Sequence, residues 1–498
     1  GAIMGALTVV VSYSYNPLFN KMLSEFVESG LFDCVKVVCD RPVEFQLPRC
    51  SYFVADSLLS GQTLKEILDG VKTEYLLLLH DAMYVSFEPK AIGRLIGTAV
   101  SSGAGLVYSD FYDETEKTKT VHPLNDYQIG SIRDDFDFGA MILFSIKAIR
   151  NALKKHGQIS PVVFAGLYDL RLKVSIDNPV YHINEPLYSV IRDIEPSDEK
   201  RHFAYVDPKN IDVQKEMEAV FTEYLKKIEA YIPYECLRET NVSKDSFPVM
   251  ASVIIPVKNR KNTINGAIKS VLSQKTDFPF NIIVVDNHSK DGTTSILTRL
   301  TGQYPAVKHI IPAKTDLGIG GCWNEALYSP FCGRYAVQLD SDDLYSSPHT
   351  LKRIIDMLQR DNYAMVIGSY TIVDFDLNVI PPGLIDHREW TDNNGHNNAL
   401  RINGLGAPRA FDTTIIRNIG FLNVSYGEDY AASLRICREY RIGRIFDSIY
   451  LCRRWEGNTD AVLSLEDTNR NNYFKDKIRT NEIIARQAIK KGSTGRKG

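Results

Sequence analysis

Short runs of β-branched and aliphatic residues alternate with amphipathic stretches along most of the chain. Thr8-Val9-Val10-Val11-Ser12 precedes a periodic stretch from Leu18 to Val27, and Val35-Lys36-Val37-Val38 follows, ending at Cys39-Asp40. In the second half Ser252-Val253-Ile254-Ile255-Pro256 precedes Ile264–Leu272, and Asn281-Ile282-Ile283-Val284-Val285 ends at Asp286. Continuous apolar runs bounded by polar residues predict strands buried on both faces. Apolar spacings of three and four between them predict helices, so the two patterns together give βαβ units around a parallel sheet.

The echo between the halves continues downstream. Glu74-Tyr75-Leu76-Leu77-Leu78-Leu79 corresponds to Arg334-Tyr335-Ala336-Val337-Gln338-Leu339. Gly139-Ala140, Phe144 and Ile149-Arg150-Asn151 correspond to Gly406-Ala407, Phe411 and Ile416-Arg417-Asn418 at the same internal spacing. A repeat this long exceeds a solenoid period of roughly 20–50 residues and predicts two copies of one α/β domain. Between them Val213, Met217, Val220, Phe221, Tyr224, Leu225 and Ile228 recur at helical spacing, and Pro233 ends that helix. The expected organisation is a first domain over 5–205, a helical linker over 206–246, a second domain over 247–478 and a basic tail over 479–498.

Composition narrows the possibilities. The chain has 498 residues, 44% hydrophobic and 24% charged, with a formal charge of −3, which excludes a disordered chain and gives no global electrostatic attraction to nucleic acid. Its eight cysteines form no C-x-x-C pair, which argues against a zinc ribbon and for reduced thiols. No basic segment leads into a signal-peptide core and no apolar run approaches the ~20 residues of a membrane span, so a cytoplasmic protein is expected. Gly1-Ala2-Ile3-Met4 reads as vector-derived, and the N-x-S triplets at Asn241 and Asn423 read as chance. The end from Ile483 to Lys497 is basic with a short apolar face (Ile483, Ile484, Ala488, Ile489) and reads as a tail with vector residues, the alternative being peripheral contact with an anionic membrane that carries a lipid-linked acceptor.

The most informative chemistry is Leu339-Asp340-Ser341-Asp342-Asp343, three carboxylates directly after an apolar strand. Alternation along a strand sends Asp340 and Asp342 to the same side, and carboxylates so crowded repel unless a cation sits among them. Hard oxygen ligands suit Mg²⁺ or Mn²⁺ shared with phosphates, and ligands of open α/β sheets bind outside the carboxyl ends of strands. Pro256-Val257-Lys258-Asn259-Arg260 closes one neighbouring strand and Asp286-Asn287-His288-Ser289 another. Asn324 follows a stretch with Gly318, Gly320 and Gly321, and Gly427-Glu428-Asp429 opens a later amphipathic segment.

In that combination and order, residues from about Met250 to Asn472 resemble a family 2 glycosyltransferase of the GT-A, nucleotide-diphospho-sugar transferase fold. The resemblance implies an α/β protein of two Rossmann-like GT-A domains joined by the helical linker. It implies donor contacts from Pro256, Lys258, Asn259, Asn324 and Asp340, with Asp286 at the base or ribose. Asp340, Asp342 and Asp343 resemble the D-x-D element that grips the diphosphate through Mn²⁺ or Mg²⁺, and which two face the ion stays open. Glu428-Asp429 resembles the E-D pair, with Asp429 as the base that takes the acceptor proton and Glu428 orienting the acceptor or the ion. One base and no covalent intermediate imply inversion, with a hexosyl or N-acetylhexosaminyl group moving from a UDP-linked donor to a glycan or lipid-linked acceptor.

Two departures modify the picture. Trp323 stands before Asn324 where many relatives carry Arg, and Arg453-Arg454-Trp455-Glu456 stands where many carry a His after an Arg. The two arginines are then candidates for the diphosphate, since guanidinium pairs well with phosphate. All three tryptophans (Trp323, Trp390, Trp455) fall in the second half, and flat aromatic faces stack on sugar rings. Trp390, in the polar loop Asp386–Asn398, is the acceptor-site candidate.

In the first half the matching positions read His80-Asp81-Ala82-Met83 and Gly166-Leu167, which lack the carboxylates, so this copy is expected to have lost metal-dependent transfer. The acidic, aromatic-rich stretches Ser109–Asp113 and Arg133–Gly139 are the alternative: glycan-binding loops, or a second active site that would make the chain a bifunctional polymerase. A sugar-phosphate nucleotidyltransferase would carry a glycine-rich loop after its first strand, which Pro256–Arg260 lacks. A scaffold of two inactive copies that binds glycans is the non-enzymatic rival.

Overall fold

The apolar runs form strands and the periodic stretches form helices in a computed structural model that describes residues 7–15, 17–44, 47–55, 57–79, 84–192, 210–455 and 463–494. The chain divides into two units. The first comprises Gly1–Tyr205, Lys209–Tyr231 and Ser464–Gly498, and the second Val206–Pro208 and Ile232–Leu463.

In the first unit the strands are β1 (Leu7–Ser12), β2 (Cys34–Cys39), β3 (Cys50–Val54), β4 (Tyr75–Leu79), β5 (Tyr84–Phe87), β6 (Leu106–Ser109), β7 (Phe111–Glu114), β8 (Lys119–His122), β9 (Met141–Ser145), β10 (Val180–Ile183) and β11 (Tyr188–Ile191). The main sheet runs β3-β2-β1-β4-β9-β6-β10, with β9 antiparallel to both neighbours and the other pairs parallel. A smaller sheet runs β5-β11-β7-β8.

In the second unit the strands are β12 (Ala251–Val257), β13 (Phe280–Asp286), β14 (Val307–Ile310), β15 (Tyr335–Gln338), β16 (Leu344–Tyr345), β17 (Met365–Val373), β18 (Val379–Ile385), β19 (Arg409–Asp412) and β20 (Ile442–Arg453). They run β14-β13-β12-β15-β19-β17-β20-β16, with β18 on β17. The first seven repeat the first unit's order, and β19 is the antiparallel strand in β9's place. The register repeats too: Leu76 lies opposite Phe144 in one unit and Ala336 opposite Phe411 in the other. The next residue, Ser145 or Asp412, caps the following helix by accepting from Ala148 N or Ile415 N. Val253, Ile255, Ile282, Val284 and Val337 are fully buried, each contributing ~1.5–3 kcal/mol relative to exposure, and they hold the carboxyl ends of β12, β13 and β15 side by side.

The expected boundaries shift at both ends of the second unit. The helix Ile211–Lys227 is a part of the first unit rather than a free linker, with Val220, Phe221 and Leu225 buried. The expected tail 479–498 falls largely within a long helix, Leu465–Thr494, also assigned to the first unit. The reason is a buried anchor: Asp476 accepts from Ser131 Oγ (3.0 Å), Arg133 Nε (3.2 Å) and Arg479 Nη1 (3.0 Å). The apolar face of the alternative membrane contact is divided, with Ile483 buried and Ile484 and Ile489 exposed. Among the described residues no helix is long and apolar enough to cross a membrane.

The stretches considered as glycan-binding loops are internally committed. Phe136 and Phe138 pack with Tyr108 and Tyr127. Asp110 and Asp113 bond His182 and His122 at 2.7 and 2.5 Å. The residues His80-Asp81-Ala82-Met83 lie outside the described residues.

Candidate active site

The loops leaving β12 and β15 and the start of the helix Glu428–Cys437 surround a cavity of about 550 Å³. Pro256, Lys258, Asn259 and Arg260 form one wall, and Asp340, Asp342 and Asp343 another. Arg409, Glu428 and Asp429 form a third, over a floor that includes Trp323, Phe411 and Phe421.

The acidic turn closes on itself, with Asp343 N donating to Asp340 O at 3.1 Å. Asp343 is buried, and its oxygens accept from Tyr450 OH (2.7 Å) and Arg453 N (3.0 Å). Burial and the charges of Asp340 and Asp342 push its carboxyl well up. Asp343 therefore fixes the turn from behind, while Asp340 stands open in the cavity. Protein crowding that displaces solvent, together with the Asp342 charge, pushes Asp340 up to about 6. Asp342 Oδ2 accepts from Trp455 Nε1 at 3.2 Å. Among the described residues no three His, Cys, Asp or Glu side chains converge on a full cation cage. Two mutually repelling carboxylates at a cavity wall nevertheless fit Mg²⁺ or Mn²⁺, which use one or two protein carboxylates and complete their shell with phosphate and water.

The opposite wall depends on close packing. A side chain at Gly320 would strike the Leu422 carbonyl and Glu428 Cβ, so glycine lets the helix Ile319–Leu327 approach the loop before Glu428. Gly427, at φ +79°, makes the left-handed turn that starts the next helix. Glu428 is buried with no hydrogen-bond partner for Oε2, and burial plus the Asp429 charge push it up to about 8. Asp429 Oδ2 pairs with Arg409 Nη2 at 2.5 Å, and Oδ1 accepts from Tyr430 N at 2.7 Å.

Several residues expected at the ligand have other duties. Asp286 is fully buried and does not line the cavity; it accepts from Ser289 N (3.0 Å) and Thr294 Oγ1 (2.6 Å), with His309 Nε2 at 3.2 Å. Burial alone would raise its carboxyl, but the bonds from His309, Thr294 and Ser289 hold it well below the ordinary range. Its neighbour Asn287 lines the cavity instead. Asn324 clamps the Phe421 backbone, accepting from its N and donating to its O at 2.9 Å each. Trp390 is buried against Gly395 and beneath the Arg444 guanidinium, away from the cavity. Arg453 braces the acidic turn through Nε to Asp342 O at 2.6 Å, and Arg454 N bonds Val373 O at 2.8 Å. Neither arginine lines the cavity. Trp455 is placed by its Asp342 bond, with the Arg260 guanidinium 5.5 Å over its ring.

Among the lining residues that the sequence reading did not assign to the site are Gln338 and Arg409. A signal was present: by the matched spacing of the repeat they fall where the first half carries Leu78 and Ile142.

Residues 252–417 match the family described as Glycosyl transferase family 2. An uncharacterized glycosyltransferase of Nostoc sp. is 35% identical over 124 residues, 25% of this chain and 37% of that protein. The putative teichuronic acid biosynthesis glycosyltransferase TuaG of Bacillus subtilis is 32% identical over 114 residues, 22% and 43% of the two chains. The chain thus spans less than half the length of these curated relatives. Among solved structures, S. aureus TarS 1-349 in complex with UDP-GlcNAc is 22% identical with a TM-score of 0.39, covering 47% of this chain and 66% of that one.

Proposed function

Starting from a family 2 glycosyltransferase domain of GT-A-type α/β fold at residues 252–417, we propose that the chain moves a sugar from a nucleotide-diphospho-sugar to an acceptor hydroxyl by single displacement with inversion. The observation that carries this reading is the meeting of two acidic sets from separate chain segments on one cavity: Asp340 with Asp342, and Glu428 with Asp429.

Asp340 and Asp342 are the residues that would hold Mg²⁺ or Mn²⁺, which supplies neutralisation of the charge gathering on the departing nucleoside diphosphate. Asp343, Tyr450 and Arg453 keep that turn from spreading under like-charge repulsion. Lys258 and Arg260 add positive charge to the donor wall. Asp429 takes the proton from the attacking hydroxyl, which is a poor nucleophile until that proton leaves. Glu428, held mostly neutral near pH 7, donates a hydrogen bond that orients the acceptor oxygen. Trp323, on the cavity lining, offers an aromatic face for a sugar ring, while Trp455 does not line the cavity and serves to hold Asp342.

A UDP-linked donor is the first to test, with glycan and lipid-linked acceptors offered alongside it. The first unit is proposed to be a copy without this transfer chemistry. Its helix Gly166–Asp177 starts on Gly166-Leu167, and Asp169 is committed to Lys173 Nζ and Ser160 N at 2.8 Å each.

The deciding experiment measures nucleoside-diphosphate release from a panel of nucleotide-sugars with Mn²⁺. Asp342→Ala and Asp429→Asn are each expected to lower turnover by roughly 10²-fold or more. Full activity in both variants would overturn the assignment, and pyrophosphate release from a nucleoside triphosphate plus sugar phosphate would reassign the reaction.

A further inference from the structure

Gln338 and Arg409 are both buried, and together they span the cavity wall between its two acidic sets. Gln338 Nε2 donates to Asp340 Oδ1 at 3.1 Å. Gln338 Oε1 accepts twice from Arg409, from Nη1 at 2.9 Å and from the backbone N at 3.2 Å. Arg409 Nη2 then reaches Asp429 Oδ2 at 2.5 Å, while its Nε donates to Leu405 O at 2.6 Å. The amide has one workable orientation. Reversed, its NH₂ would face two donors and its oxygen a carboxylate. The planar guanidinium is likewise fixed on three sides, so neither side chain is free to swing.

The repeat supplies an internal control. In the first unit Leu78 lies opposite Ile142, and these two occupy the strand positions that match Gln338 and Arg409. The same sheet is therefore built with an apolar pair there. A buried amide and guanidinium cost desolvation that an apolar pair does not. The polar pair occurs in the unit that carries Glu428-Asp429 and is replaced in the unit that carries Gly166-Leu167.

We propose that Gln338 and Arg409 are positioning residues that hold the Asp429 carboxylate at a set distance and angle from Asp340, so that proton removal is aligned with the donor. The inference rests on the reading of Asp429 as the base. Misplacing a reacting group by about 1 Å costs roughly 10²-fold in rate, so Arg409→Gln should lower kcat by about that factor with donor KM changed by less than about 3-fold. Arg409→Lys, which keeps the charge, should recover part of the loss. Gln338→Leu, which installs the first unit's residue, should cost roughly 10-fold in kcat with donor KM changed by less than about 3-fold, because it leaves the Asp429 ion pair intact but its support loose. The two Arg409 N–H groups it strands should also lower the thermal midpoint.

Residues acting as one unit are non-additive, so Arg409→Gln combined with Asp429→Asn should be no slower than Asp429→Asn alone. If Arg409→Gln does not fold, Gln338→Leu decides. The inference is overturned if both single variants keep kcat within about 2-fold, or if the losses in the double variant multiply. Full activity in Asp429→Asn would instead sink the base assignment itself, so the two failures are separable.

Discussion

At the scale of single residues, the site is defined by which carboxylates are satisfied and which are not. Glu428 is the clearest case, since burial pushes it from 4.5 to about 8. The folded protein then holds a proton that the unfolded chain releases. Stability from this group is complete below pH 4.5 and is lost as pH rises through 8. In EDTA, the thermal midpoint of the wild type should fall between about pH 5 and pH 9 more than that of Glu428→Gln, while the variant loses activity. An equal slope in both would show that Glu428 is not buried as a neutral acid. Asp286 has the opposite sign, because donors on every side hold its carboxyl down. The sequence showed both acids equally well. It could not show which one has partners, because the donors to Asp286 come from a loop, a helix and another strand. Gln338 and Arg409 were missed for a related reason: a polar residue in a strand looks solvent-facing until its neighbour across the sheet is known.

At the scale of elements, the repeat was legible because strand burial on both faces imposes continuous apolar runs and because Gly139, Phe144 and Ile149 recur at the spacing of Gly406, Phe411 and Ile416. Strand order, register and caps all followed the matched positions. The C-terminal helix was not legible as structure. Its charged residues read as a solvated tail, yet Asp476, Arg479, Glu482 and Arg486 are buried and paired with one another or with the first unit's core. Asp476→Ala would leave Arg133 and Arg479 buried without their shared carboxylate, and should cost about 3–5 kcal/mol in chemical unfolding. A loss below about 1 kcal/mol would mean that the helix is only loosely docked.

At the scale of the whole molecule, each unit has its own apolar core, so unfolding should not be a single all-or-none event. Calorimetry should resolve one transition lowered by Asp476→Ala and another raised by Mn²⁺ with a nucleotide-sugar. A ligand that moved both equally would contradict independent cores. The threading carries a consequence for biogenesis. Because Ser464–Gly498 completes the first unit, its early strands leave the ribosome on the order of tens of seconds before their last packing partner exists. The later-made half can close first, and the half begun first must wait with an unfinished flank, which makes it the stretch where a chaperone would be needed during synthesis.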